Sequence, residues 1–94
     1  MRIRDVIWQE QFVDKLIEKH GVYPDEAEDV LFGQSRMRQV ARGQVRGEDV
    51  YEALGQTVSG RYLIVIFVWK QNEEALVISA RDMSDRERRR YGRK

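Results

Sequence analysis

The feature that most constrains this chain of 94 residues is one uninterrupted apolar run at residues 62–69, Tyr-Leu-Ile-Val-Ile-Phe-Val-Trp. Its β-branched and aromatic side chains do not alternate with polar ones, which is typical of a strand buried on both faces. The run is far shorter than the roughly 20 apolar residues that a membrane-spanning helix needs. The sequence therefore predicts a central strand inside a small globular core.

Composition limits what can surround this strand. Hydrophobic residues make up 41 % of the chain and charged residues 35 %, which suits one small core, so we expect residues 1–94 to form a single domain. No apolar targeting segment follows Met1. The chain has no cysteine and one histidine, His20, which argues against disulfides and against an intrinsic zinc or copper site. We expect a cytoplasmic protein with no metal and no cofactor.

The net charge of +1 hides an uneven distribution. Residues 1–35 hold four basic and eight acidic side chains, whereas residues 36–94 hold 13 basic and eight acidic ones. An acidic first part and a basic second part suggest an anionic partner on one surface. A solvated, arginine-rich helix is the alternative that charge alone leaves open.

Helical periodicity is clearest in the first third of the chain. Apolar residues recur on one face over residues 8–20, and Gly21 can adopt the left-handed conformation that ends a helix. Pro24 suits the first turn of a second helix, which Gly33 closes. Residues 3–8 are predicted either as a short edge strand or as the approach to the first helix.

Strand signals dominate the middle of the chain. Residues 34–49 are predicted as an irregular loop with room for one strand. Further strands are predicted at residues 50–54, ending at Gly55, at 62–69 and at 75–80, with a hairpin loop at 71–73.

The last predicted element is a helix from Asp85 to about Gly92. Ser84 and Glu87 have the S-x-x-E spacing of a capping box. Arg88 and Tyr91 share a face with Glu87, whereas the remaining arginines are predicted to point mostly to solvent: Arg86, Arg89, Arg90 and Arg93. The predicted fold class is α+β, with two N-terminal helices, an antiparallel sheet of three to four strands and a C-terminal helix.

Three groups of short motifs lie along residues 8–91. The first is Lys-His-Gly-Val at 19–22 with Glu-Ala at 26–27. The second is Gly-Glu at 47–48, Ala-Leu-Gly-Gln-Thr at 53–57 and Gly-Arg-Tyr-Leu at 60–63. The third is Ile-Ser-Ala-Arg at 78–81, Met83 and Glu-Arg-x-x-Tyr at 87–91. Together they resemble the BrnT family of toxins from bacterial type II toxin–antitoxin systems, within the wider RelE-like group of ribonucleases.

The resemblance implies a RelE/BrnT-like fold and a metal-independent endoribonuclease, in which the 2′-hydroxyl of one nucleotide attacks its own 3′-phosphate. It implies two partners, RNA and a cognate antitoxin with a ribbon-helix-helix DNA-binding module, and higher-order complexes with that antitoxin. No membrane partner is implied. The alternative is a non-enzymatic, degenerate module that binds RNA or the antitoxin. Two family arginines are absent here, where Asp49 or Val50, and Gln56, stand.

The candidate catalytic residues follow from this reaction. A guanidinium pairs two phosphate oxygens and stays charged, so Arg81 and Arg88 are expected to stabilise the phosphorane. Tyr91 and Lys19 are expected to line the same site. The candidate proton carriers are His20, Tyr91 or a carboxylate such as Glu48, and histidine is the residue type best suited to that role.

The candidate RNA-binding residues are arginines from the loop and from the last helix: Arg36, Arg38, Arg42, Arg46, Arg86, Arg89 and Arg90. Structural roles remain open for several of the residues singled out. His20 could satisfy the end of its helix, Glu87 could act only as a cap, and Arg81 could form a strand-end ion pair with Asp82. Trp8 and Trp69 are expected in or beside the core.

Overall fold

The computed structural model describes residues 1–92, which form five strands and three α-helices. In chain order they are β1 (Asp5–Ile7), α1 (Glu10–His20), α2 (Pro24–Phe32), β2 (Arg36–Ala41), β3 (Val50–Gln56), β4 (Tyr62–Lys70), β5 (Glu74–Asp82) and α3 (Asp85–Gly92). A short 3₁₀ turn at Gln71–Glu73 joins β4 to β5, where the hairpin loop was expected. The predicted α+β class, with helices before and after the sheet, is confirmed.

The sheet has the order β1-β5-β4-β3-β2 and is larger and more mixed than predicted. Five strands replace the expected three to four, because residues at both ends of the predicted sheet also pair. β1 runs parallel to β5, with Asp5 opposite Glu74, and β2 runs antiparallel to β3. Two strands so far apart in the chain carry no short-range pattern that indicates a parallel pairing. The prediction of an antiparallel sheet is therefore wrong only for β1.

The central strand β4 is covered on both faces, as its apolar run predicts. Leu63, Val65 and Phe67 are fully buried in the main core with residues of α1 and α2. Ile64 points to the opposite face, where it is buried in a second, smaller cluster with Leu54 and Met83. The sheet therefore carries a large core under the first two helices and a small one under α3.

The two N-terminal helices meet at a tight turn. Gly21 has φ 61°, and its N–H donates to the carbonyl of Ile17 at 3.0 Å, so the predicted helix stop is confirmed. α1 begins at Glu10 rather than residue 8. Trp8 instead packs against the main core, and its indole N–H donates to Glu28 at 2.7 Å. No helix within residues 1–92 combines the length and apolar character needed to cross a membrane.

The capping box at the start of α3 is confirmed in both directions. The N–H of Ser84 donates to Oε1 of Glu87 at 2.8 Å, and the N–H of Glu87 donates to Oγ of Ser84 at 3.2 Å. The helix then lies over the end of β3 and β4, where the ring of Tyr91 packs against the small cluster. This placement brings α3 next to the arginines of β2.

Candidate functional site

A buried carboxylate lies where β2, β3 and α3 meet. Glu52 of β3 has a side chain only 8 % exposed, and it faces the α3 side of the sheet directly opposite Arg38 of β2. Nε of Arg38 lies 2.6 Å from Oε1 of Glu52, and the guanidinium of Arg90 of α3 contacts the same oxygen. The two cations come from segments about 50 residues apart, so only the fold brings them to one acid.

One oxygen of this carboxylate, Oε2, has no hydrogen-bond donor among the described residues. Within residues 1–92, Oε2 of Glu52 accepts no hydrogen bond, and no fully buried side-chain oxygen lacks a partner. Oε2 is therefore reached by solvent. Glu52 is one of the residues that line a cavity of about 270 Å³, with Arg36, Met37, Arg38, Leu54 and Arg90.

The arginines around this cavity remain accessible. The side chain of Arg38 is 59 % exposed and that of Arg90 is 36 % exposed. The sequence predicted that Arg90 points mostly to solvent. In the structure its side chain instead points toward the sheet. Nη1 of Arg36 donates to the carbonyl of Arg90 at 2.8 Å, which ties the last turn of α3 to the edge strand. We define the cavity-lining polar set Glu52, Arg36, Arg38 and Arg90 as the Glu52 cluster.

Arg81 has a different partner from the one considered in the sequence. It makes two parallel hydrogen bonds to Glu87, at 2.8 and 2.9 Å, whereas Asp82 supplies only its backbone carbonyl. The hydrogen bonds from Arg81 outweigh desolvation and, with those from Ser84, lower the pKa of Glu87 from 4.5 to about 2. The same pair raises the pKa of Arg81. Arg81 thus anchors the first turn of α3 to the end of β5.

Arg88 and Tyr91 form an aromatic group beside this anchor. The guanidinium of Arg88 lies 4.0 Å from the ring centre of Tyr62, a cation–π contact. Tyr91 meets Tyr62 edge-on, with ring centres 6.1 Å apart. Arg88 has no carboxylate within ion-pair distance among the described residues. It therefore carries an uncompensated charge beside two aromatic rings.

His20 and Lys19 lie apart from Arg81 and Arg88. Both end α1, which packs on the other face of the sheet, and both side chains are exposed. Within residues 1–92 no hydrogen bond or ion pair joins either side chain to Arg81 or Arg88. The structure therefore brings together three of the five candidate catalytic residues: Arg81, Arg88 and Tyr91. Glu48 lies in the loop just before β3 and pairs with Lys70 at 2.9 Å.

The remaining candidate RNA-binding arginines are exposed. Arg86 and Arg89 lie on the outer side of α3, and Arg42 and Arg46 lie in the loop between β2 and β3. None of these four has a carboxylate within ion-pair distance among residues 1–92. Arg93 and Lys94, part of the same basic end of the sequence, lie outside the described residues.

A second arginine-centred group, on the α1–α2 side, holds the fold together. Arg61 donates to both carboxylate oxygens of Asp82 at 2.7 and 3.2 Å, and to Glu26 at 3.2 Å. It also donates to the carbonyls of His20 and Gly21, at 3.0 and 2.9 Å. The hydrogen bonds to Asp82 are the largest cause of the raised pKa of Arg61 and of the lowered pKa of Asp82.

Sequence reasoning missed the roles of Glu52 and Arg61. Glu52 is a single acid inside the otherwise apolar stretch Val-Tyr-Glu-Ala-Leu. A lone charged residue in a predicted strand indicates a buried group that needs a partner, and this was the feature that could have identified it. Arg61 was part of a motif, Gly-Arg-Tyr-Leu, but nothing local showed its partners. Within residues 1–92, no three His, Asp or Glu side chains are arranged to hold a metal ion.

Comparison with known proteins now bears on this site. Residues 8–87 match the family described as ribonuclease toxin, BrnT, of type II toxin–antitoxin systems. The 1.1 Å crystal structure of the Brucella abortus ribonuclease toxin BrnT matches with a TM-score of 0.63 and 25 % sequence identity. That match covers 86 % of this chain and 97 % of the Brucella chain. Among curated proteins no sequence match was found. The chain belongs to the BrnT family of ribonuclease toxins of type II toxin–antitoxin systems, which act with a cognate antitoxin.

Proposed function

We propose that this protein cleaves RNA without a metal ion, by attack of a ribose 2′-hydroxyl on the adjacent 3′-phosphate, at the Glu52 cluster. The observation that carries the proposal is the carboxylate of Glu52, which two arginines hold through one oxygen, whereas its other oxygen accepts no hydrogen bond from residues 1–92 and the residue lines a cavity. A proton acceptor and fixed cations at one place are what this reaction needs.

The proposed step uses three groups of the Glu52 cluster: Glu52, Arg38 and Arg90. Oε2 of Glu52 takes the proton from the 2′-hydroxyl as the 2′-oxygen bonds to phosphorus. The bond from phosphorus to the 5′-oxygen breaks, and the leaving oxygen takes a proton from water. The hydroxide left behind takes the proton from Glu52, which restores the carboxylate. The product is a 2′,3′-cyclic phosphate and a free 5′-hydroxyl. Arg38 and Arg90 stabilise the charge that develops on the phosphorane oxygens.

Arg81, Arg88 and Tyr91 take supporting roles in this proposal. Arg81 positions α3 through Glu87, so that Arg90 reaches the cavity. Arg88, stacked on Tyr62, offers a cation and a flat aromatic group beside which a flanking nucleotide can stack. His20 and Lys19 have no role in it. The exposed arginines on the outer side of α3 and in the loop bind flanking phosphates, so RNA affinity should fall steeply with salt.

The antitoxin is the second partner. We propose that it carries a ribbon-helix-helix DNA-binding module, as the resemblance implies, and that the complex represses its own operon. Purification of the complex followed by an electrophoretic shift of operator DNA tests this. A complex that fails to bind the promoter region of its own operon would count against it.

The test of the chemistry uses one defined RNA and a copy with 2′-deoxyribose at the cleaved position. We expect wild-type protein to cut the first in the presence of EDTA, to leave a 2′,3′-cyclic phosphate, and not to cut the second. Reactions with and without ribosomes show whether cleavage requires them. Cleavage abolished by EDTA, or cleavage of the 2′-deoxy copy, would contradict the proposal.

Glu52→Gln tests the site and Glu48→Gln is its matched control. Both replace a mostly buried glutamate of an ion pair, but Glu48 precedes β3 and pairs with Lys70 instead of Arg38 and Arg90. We expect Glu52→Gln to lower single-turnover cleavage by roughly 10²–10⁴-fold, the usual contribution of a general base, with RNA affinity retained. Equal activity of the two variants would place the base elsewhere. A wild-type protein that binds RNA but never cuts it would favour the non-enzymatic alternative.

A further inference from the structure

The edge strand β2 is an open end of the sheet. It pairs with β3 on one side only, and within residues 1–92 its residues 37–41 make no backbone hydrogen bond to any segment beyond the sheet. β1, at the other edge, has only three residues. An exposed edge of this length is a template for one more strand from another chain.

The two faces beside this edge differ in chemistry. On the α3 side lies the Glu52 cluster, in which the guanidinium groups of Arg38 and Arg90 share one carboxylate, so that the cations outnumber the anion. On the α2 side a cavity of about 310 Å³ is lined by Met1, Leu31, Gly33, Ser35, Met37 and Tyr51. Because side chains of a strand alternate between faces, a strand added along residues 36–38 meets Arg36 and Arg38 on one face and, on the other, Met37 and the cavity that it lines.

We propose that β2 binds an extended segment of a partner protein in which acidic and apolar residues alternate, and that this segment forms a sixth strand. Its acidic side chains lie beside Arg38 and cover the mouth of the cavity at Glu52, while its apolar side chains lie beside Met37. The cognate antitoxin is the partner class that would supply such a segment. The consequence that it blocks cleavage rests on the proposed function, whereas the binding itself does not.

A second copy of this chain fits the edge poorly. Two β2 strands paired with each other would set the arginines of one copy against those of the other, and like charges on neighbouring strands are destabilising. Charge complementarity therefore selects an acidic segment over self-association.

The probe is a fluorescent seven-residue peptide, Glu-Val-Glu-Val-Glu-Val-Glu, and its control is a peptide of the same composition with the glutamates in one block. Fluorescence anisotropy measures affinity, and amide hydrogen exchange locates the contact. We expect the alternating peptide to bind more tightly than the block peptide and to slow exchange in β2.

Arg38→Glu should weaken binding by roughly tenfold, since it turns cross-strand attraction into repulsion. Arg38→Gln should weaken it less, and it serves as the reference should the charge reversal disturb folding. Arg89→Glu, an equal charge change on the outer side of α3, should alter affinity by less than about threefold. Circular dichroism confirms that each variant is folded.

Three results would overturn the proposal: equal affinity for both peptides, exchange protection confined to α3 or to the 42–49 loop, or a dimer of the chain that the peptide dissociates. The last would assign the edge to a second copy. Neither anisotropy nor exchange depends on catalysis, so an inactive protein that binds the peptide would contradict the proposed function and leave this inference intact.

Discussion

Two arginine-centred groups lie on opposite faces of the same sheet, and they differ in what their cations have left to offer. All five N–H donors of Arg61 are matched to acceptors of the protein itself, drawn from α1, α2 and β5. Arg38 and Arg90 share a single carboxylate oxygen and stay substantially exposed. The difference teaches that an arginine whose N–H donors are all bonded to its own chain stabilises the fold. An arginine whose N–H donors are not all used in this way can still bind a ligand.

Among the arginines of the two groups, removal of Arg90 should give the largest effect on activity. We expect Arg90→Ala to slow single-turnover RNA cleavage by about 10²-fold, the usual cost of losing one donor that stabilises developing charge. The unfolding free energy should change by less than about 1 kcal/mol, because Arg38 still pairs with Glu52. His20→Ala, on the other face, should retain activity. If only His20→Ala were inactive, the active site would lie at the end of α1, on the Arg61 side of the sheet and not on the α3 side.

Removal of Arg61 should give the largest effect on stability. Arg61→Ala leaves two carboxylates and two helix-end carbonyls without their donor, and we expect it to lower the unfolding free energy by about 2–3 kcal/mol. Arg61→Lys should recover only part of this, since an ammonium cannot reach all these acceptors. Urea denaturation measures both. The surface variant Arg89→Ala should stay within about 0.5 kcal/mol of wild type, and an equally mild Arg61→Ala would refute the structural role.

The cap of α3 should contribute less. Ser84→Ala removes the side-chain acceptor for the N–H of Glu87, and the usual cost of losing an N-cap is about 1 kcal/mol. Denaturant titration of wild type and variant checks this. An unchanged midpoint would mean that the helix start does not depend on this hydroxyl. A parallel cleavage assay shows whether a loosened α3 also lowers activity through Arg90.

The pH dependence of the Arg81–Glu87 pair should be the smallest effect. Because the pKa of Glu87 in the folded protein is lowered to about 2, the pair stabilises the protein above pH 4.5 and loses that contribution as the pH falls toward 2. Arg81 is partly exposed, so we expect less than about 1 kcal/mol. As the pH is lowered through this window, the free energy of unfolding should fall less steeply in Glu87→Gln than in wild type. Identical slopes would show that the pair is not coupled to folding.

The elements with a local signature were predictable, and so was the family. Gly21 after an amphipathic stretch, the S-x-x-E spacing at Ser84 and the apolar run of β4 each specify an element from a few neighbouring residues. The motifs at 19–22, 60–63 and 78–81 indicated the family in the same way. Residues 34–49 were predicted as an irregular loop with room for one strand, and the structure has one strand there, β2, whose bounds follow from pairing with β3 rather than from its own polar sequence.

The sequence by itself determined the order of the three helices and of β3 to β5, the central buried strand, the α3 cap and the concentration of arginines in the second part of the chain. Only the tertiary structure decided which arginines bond all their N–H donors to the protein itself and which keep donors available for a ligand. Arg36 and Arg90 are 54 residues apart along the chain, and the parallel pairing of β1 with β5, which sets Asp5 opposite Glu74, spans a still larger separation. The physical reason is that local patterns fix which face of an element is apolar, whereas the partners of a charged side chain depend on which distant elements the packed core brings beside it.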